Sequence, residues 1–283
     1  MQEETGLDRF LRRQELFRVF TMRIYLSQDV VESLEELLEL IQEVRNLLPS
    51  ASIGKTLYLS QDAGGRRVYD FDDTGFQEFL SELSRGESFG FSMVLEDGGL
   101  TGLLRPREQG FHWVSLHLPE TALSQESTRL PLSFLDVGKH FWRIGGGVYG
   151  YAHLVTQFRR IGKWQPGDSN PDQVEVAKML SYLLWEMSFA GIPTYVLPPQ
   201  DRGFEAVCDR RVAGAFWANL LGPGHLEDLE LKEEQVAKCQ ALPLDHGGLL
   251  LTVSQNPYPK ERKALLETYA GLRKCFSELL YLP

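Results

Sequence analysis

Apolar and polar positions alternate imperfectly over residues 17–26, a stretch rich in aromatic and β-branched side chains, which predicts a strand buried on at least one face. The period then lengthens. Val30, Leu34, Leu37, Leu38, Ile41, Val44, Leu47 and Leu48 recur at three- and four-residue spacing, the mark of one helix face. Asp29 and Glu32 stand where a capping box would open that helix, and Pro49 stops it. Its other side carries Glu32, Glu35, Glu36, Glu39 and Glu43 against Arg45 alone, so the solvent face is acidic.

Residues 55–60 and 67–71 read as two strands of a hairpin, because Asp62-Ala63-Gly64-Gly65-Arg66 between them has turn glycines. Thr74 with Gln77 fits the cap of a second helix, with Phe76, Phe79, Leu80 and Leu83 on one face and Gly86 at its end. The adjacent Asp72 and Asp73 fit a turn and helix cap better than an acid/base pair. Strands follow at 88–95, 100–104 and 111–118, and helical spacing returns over 130–144. Asn170-Pro171 with Gln173 opens a further helix reaching about residue 190, before a short strand at 194–197. Residues 216–221 read as a short helix stopped by Gly222-Pro223, 249–253 as a buried strand, and 259–280 as a closing amphipathic helix. The order predicts an α+β fold: a mixed, largely antiparallel sheet packed with several amphipathic helices. We expect one domain over residues 1–283, with a possible sub-domain boundary near 124–129.

Composition changes the picture mainly through charge. The 283 residues are 43% hydrophobic, enough for a sizeable core, and carry a net charge of −10. Such a field repels nucleic acid and anionic membrane and favours cationic partners. Three cysteines without C-x-x-C spacing suit buried thiols in a reducing compartment, and the acidic start of the chain is unlike a secretory signal, so the expected location is the cytoplasm.

Candidate chemistry is sparse. Gly145-Gly146-Gly147-Val148-Tyr149-Gly150 satisfies G-x-G-x-x-G, but a helical pattern precedes it where a dinucleotide site needs a strand, so it reads as a glycine loop allowing close backbone approach. Gly54-Lys55-Thr56 lacks the first glycine of a phosphate loop, having Pro49 in its place. The six histidines show no metal-ligand spacing, no G-x-S-x-G elbow is present, and Cys208 lacks a nucleophile signature. Arg159, Arg160, Lys163 and Trp164 form one basic and aromatic cluster, read as a loop edge.

Taken together, Phe216-Trp217-Ala218-Asn219-Leu220-Leu221-Gly222-Pro223-Gly224-His225-Leu226, Gly247-Gly248-Leu249-Leu250 and the closing helix with Tyr269 resemble the type VI immunity family of bacterial polymorphic-toxin systems. The resemblance implies a non-enzymatic inhibitor, without cofactor or metal, that binds a cognate toxin and occludes its active site. The acidic balance suits a basic toxin. Glu35, Glu39 and Glu43 on the first helix, or Glu227, Asp228 and Glu230 further on, are the candidate toxin-binding residues. Phe216, Trp217, Gly222, Pro223, Gly247 and Gly248 are expected to build the fold instead of the interface: the aromatics bury a helix, Gly222-Pro223 ends it, and Gly247-Gly248 turns into a core strand. Two alternatives stay open, an enzyme whose pocket is lined by the Gly145 loop, His153 and Arg159, and a structural adaptor of a secretion or phage-like particle. Oligomeric state is open as well.

Overall fold

A computed structural model describes residues 14–27, 33–47, 56–61, 66–85, 88–94, 99–103, 111–119, 129–160, 207–208, 210–229, 239–255 and 262–280. Ten strands form one sheet: β1 (Gln14–Leu26), β2 (Thr56–Gln61), β3 (Arg66–Asp70), β4 (Ser88–Val94), β5 (Gly99–Leu103), β6 (His112–Pro119), β7 (Gly147–Arg160), β8 (Ala218–Leu221), β9 (Gln240–Pro243) and β10 (Leu249–Thr252). Their order is β3-β2-β4-β5-β6-β1-β7-β8-β10-β9. Each pairing between these strands is antiparallel, where a mixed, largely antiparallel sheet was expected, and among the described residues only the isolated Val212–Leu280 bridge is parallel. Residues 120–128, around the possible boundary, lie outside the described residues; strands from both sides of them join the same sheet.

Alternation along the strands separates two cores. Phe20, Met22, Ile24 and Leu26 of β1 point to one face, where they meet Leu57, Leu59, Phe91, Met93, Val114 and Leu116. Helices α1 (Leu34–Leu47), α2 (Asp73–Ser84) and α3 (Arg129–Gly145) cover that face through Leu37, Ile41, Val44, Phe76, Phe79, Phe141 and Trp142. Tyr25 of β1 points the other way and joins Tyr149, Tyr151, Phe216, Leu221 and Leu251, closed over by Leu272 and Phe276 at the end of α5 (Arg262–Cys275). At about 1.5–3 kcal/mol for each large apolar side chain buried, these two layers supply the main stabilising term.

Several expectations are corrected. Asp72, not Thr74, caps α2: its carboxylate accepts from the Gly75 N–H at 2.8 Å. Of the glycine run, Gly145 ends α3 and Gly146 alone is the turn, after which the chain becomes β7, a strand of 14 residues. Gly146, with φ 58, adopts the left-handed conformation that ends a helix, and its carbonyl accepts from Ser27 N–H at 3.1 Å and Ser27 Oγ at 2.8 Å. Residues 218–221 are β8 and not a helix, because hydrogen bonding between β7 and β10 decides the conformation of so short a segment. Gly222-Pro223 therefore opens a helix instead of ending one: Gly222 is the N-cap of α4 (Pro223–Glu227), where proline's missing N–H has no partner to lose. The thiols are less buried than expected, Cys208 being exposed and Cys239 and Cys275 half-buried. The helix expected from Asn170, the strand at 194–197 and the cap at Asp29 lie outside the described residues.

Candidate functional site

The helical period of α1 sets Glu35, Glu39 and Glu43 one turn apart on a single line, about 6 Å between successive residues. All three are exposed. The charges expected beside them are engaged elsewhere. Glu36 pairs with Arg143 of α3, and Arg45 turns to α2, where it pairs with Asp73 at 2.6 Å and sits 4.5 Å above the Phe76 ring. What remains is a stripe of three carboxylates with no ion pair among the described residues. Like charges at i, i+4 repel, so this stripe costs the helix a little stability.

The second acidic group stands apart from it. Glu227 and Asp228 are exposed at the end of α4, whose Leu226 and the following Leu229 pack into the tyrosine-lined core on the opposite face of the sheet from α1. Glu227 faces Arg210 at 3.4 Å. Glu230 lies outside the described residues. Glu35, Glu39 and Glu43 thus form no continuous surface with Glu227 and Asp228, and α1 presents a line of charge without an ion pair among the described residues.

The aromatic and glycine motifs lie around a strand, where a helix was expected. Phe216 stacks on Tyr151 with ring centres 4.4 Å apart, and Trp217 meets Phe20 edge-on at 5.7 Å while donating from Nε1 to the Ser254 carbonyl at 2.8 Å. Asn219 fastens the approach to β8 by accepting from Phe216 N–H and donating to Phe216 C=O. Gly222 lets the chain pass the Val148 carbonyl, and Gly248 lies under the Trp142 indole, so a Cβ at either position would collide. Gly247, φ 74, supplies the turn into β10.

Two histidines are built into this scaffold. His153, 6% exposed, accepts on Nδ1 from the Trp217 backbone N–H at 3.1 Å, and burial pushes its pKa down to about 3. His117 bonds Ser115 Oγ through Nε2 at 2.9 Å and Thr21 Oγ1 through Nδ1 at 3.0 Å; burial, with Arg23 nearby, lowers its pKa to about 4. The Ser115–His117 pair has the connectivity of a nucleophile and its base, but Ser115 is 0% exposed and the pair braces β6 against β1.

A cleft of about 450 Å³ does open beside the Gly146 turn. Its walls include Gly147, Cys208, Arg210, His225 and His246. Arg210 (φ 55) and His246 (φ 57) are both left-handed, and these two non-glycine residues bring backbone strain to this one place. His246 donates from Nε2 to the Arg143 carbonyl at 2.7 Å; His225 donates to the Arg211 carbonyl at 3.1 Å and stacks on Tyr149. Of the pocket lining expected, the Gly145 loop borders this cleft through Gly146 and Gly147, His153 lies in the core, and the Arg159 side chain is outside the described residues. No group of three or more metal-ligating side chains occurs among the described residues.

Sequence comparison finds no matching protein family and no matching curated protein. In three dimensions the chain is similar to the Pseudomonas aeruginosa T6SS protein PA0821, with a TM-score of 0.59 and 15% identity over 95% of this chain and 74% of that one. That likeness establishes a shared fold. No helix among the described residues is long and apolar enough to cross a membrane.

Proposed function

We propose that this chain is a non-enzymatic immunity protein that works in the cytoplasm by binding a cognate bacterial toxin and covering its active site. The observation that carries the reading is the shared fold with a T6SS protein, met from the sequence side by the motif resemblance to type VI immunity proteins. The α1 stripe supports it physically: three carboxylates held in line with no ion pair among the described residues cost stability and suit a basic surface. A net charge of −10 would speed encounter with such a partner.

A second reading, an enzyme acting on a small molecule, is favoured by the cleft, where a thiol, two imidazoles and a guanidinium line a hollow of ligand size. One experiment separates the two. The chain is co-expressed with the toxin domain of a secreted protein encoded beside it, in the native form and as Arg210→Ala/His246→Ala. Immunity by blockade expects survival with both forms and a complex that co-purifies. Killing in the presence of the native chain would refute the immunity reading. Turnover of a metabolite by the purified chain, lost in the double variant, would establish the enzyme instead.

A further inference from the structure

We propose that the cleft beside the Gly146 turn is a binding site for a small organic acid, whose carboxylate meets the Arg210 guanidinium while its apolar body lies against Phe111, Val148 and Val207. The cleft encloses about 450 Å³, the size of a small-molecule site. Its walls divide by chemistry. Arg210, His225 and His246 line it together with those three apolar side chains, and no carboxylate does so among the described residues. In a chain with 39 acidic side chains against 29 basic ones, such a hollow offers an anion attraction in place of the general repulsion.

The two imidazoles are fixed before any ligand arrives. His246 is held by the Arg143 carbonyl at 2.7 Å, and His225 by the Arg211 carbonyl at 3.1 Å and by its stacking on Tyr149, so neither wall has to be ordered on binding. Arg210 is tied least. It faces Glu227 at 3.4 Å, and the two side chains are 61% and 69% exposed, which makes a pair of the kind that contributes little. A Cβ on Gly224 would lie 3.6 Å from Arg210 Nε, so the missing side chain leaves the guanidinium room beside the cleft. A carboxylate that takes both prongs of the guanidinium fork gives it a stronger partner than Glu227 does.

The backbone points the same way. Arg210 and His246 both have positive φ, where folding alone favours glycine or asparagine, and the side chains set there are two that line the cleft. Both strained segments lean on one short stretch: Arg210 on Gly224, and the His246 turn on Pro223, whose Cγ would lie 3.5 Å from a Cβ on Gly247. Such binding needs neither a toxin nor turnover, so it holds whether or not the immunity reading does.

The test is an NMR titration of the full chain with benzoate, with benzamide as its uncharged counterpart and with inorganic phosphate as an anion lacking an apolar body. Benzoate is expected to saturate the chain at millimolar concentration, with benzamide and phosphate each about tenfold weaker. Arg210→Gln should weaken benzoate about tenfold, and Glu227→Gln, which removes the competing carboxylate, should tighten it about two- to threefold. Both substitutions fall on exposed side chains, and an unchanged circular dichroism spectrum checks the fold. Absence of saturable benzoate binding in the millimolar range would overturn the proposal. So would benzamide or phosphate binding as tightly as benzoate, native affinity in Arg210→Gln, or weaker binding in Glu227→Gln.

Discussion

His153 shows how one buried polar atom couples this fold to pH. Its Nδ1 holds the Trp217 N–H, so the ring must be neutral there, and burial keeps its pKa near 3. His117 is held near 4 by the same cause, with Arg23 assisting. Both folded values lie below the roughly 6.5 of an unfolded histidine, so the unfolded chain binds more protons once pH drops below about 6.5. Stability from these two side chains is therefore complete above that pH and is lost as pH falls toward 4 and then 3. Between about pH 6.5 and about pH 5 each should cost about 1.5 kcal/mol, read as a falling urea midpoint. His153→Asn keeps an acceptor for Trp217 but does not titrate in this range. It should remove about half of that decline while lowering stability at neutral pH; an unchanged slope would show that His153 is not a source of the acid sensitivity.

Among the elements, the start of α2 separates two readings of the same sequence. Asp72 Oδ1 receives the Gly75 N–H, whereas Thr74 is exposed inside the first turn. Asp72→Ala is expected to lower stability by about 1 kcal/mol and Thr74→Ala by only a few tenths, measured as melting-temperature shifts. Equal effects would return the cap to Thr74. Two polar residues in tandem fit the cap pattern equally well, and only backbone geometry chooses between them. Legibility elsewhere followed the same logic. α1, α2, α3 and strands β1 to β6 were readable because each repeats its period long enough for one face to declare itself. β7 was not, since its glycine-rich opening looks like a loop until β1 lies alongside it. β8 and β9 have four residues each, too few for a period, and are strands because β10 pairs with both. Of the candidate site, the α1 stripe was legible from helical spacing alone. The separation of Glu227 and Asp228 from it needs the strand order, and the cleft needs Gly146, Arg210 and His246 brought together from distant positions.

Across the whole molecule, stability and partner binding make opposite demands on α1, and that opposition can be measured. Glu35, Glu39 and Glu43 repel one another along the helix, and the nearby cations are engaged with Glu36 and Asp73. A sequence selected for folding alone would place a lysine among them. Glu39→Lys converts two repulsive i, i+4 spacings into attractive ones and should stabilise the chain by about 0.8–2 kcal/mol. If the stripe meets a basic toxin, the same change must slow association, by about tenfold at low salt. The loss should shrink as added salt shortens the screening length toward about 10 Å at 0.1 M. Stopped-flow association with the purified toxin domain, run beside a urea titration, reads both signs on one protein. A variant that is more stable and binds as fast as the native chain at low salt would place the interface away from α1; more stable but slower is the outcome expected of a surface kept for its partner.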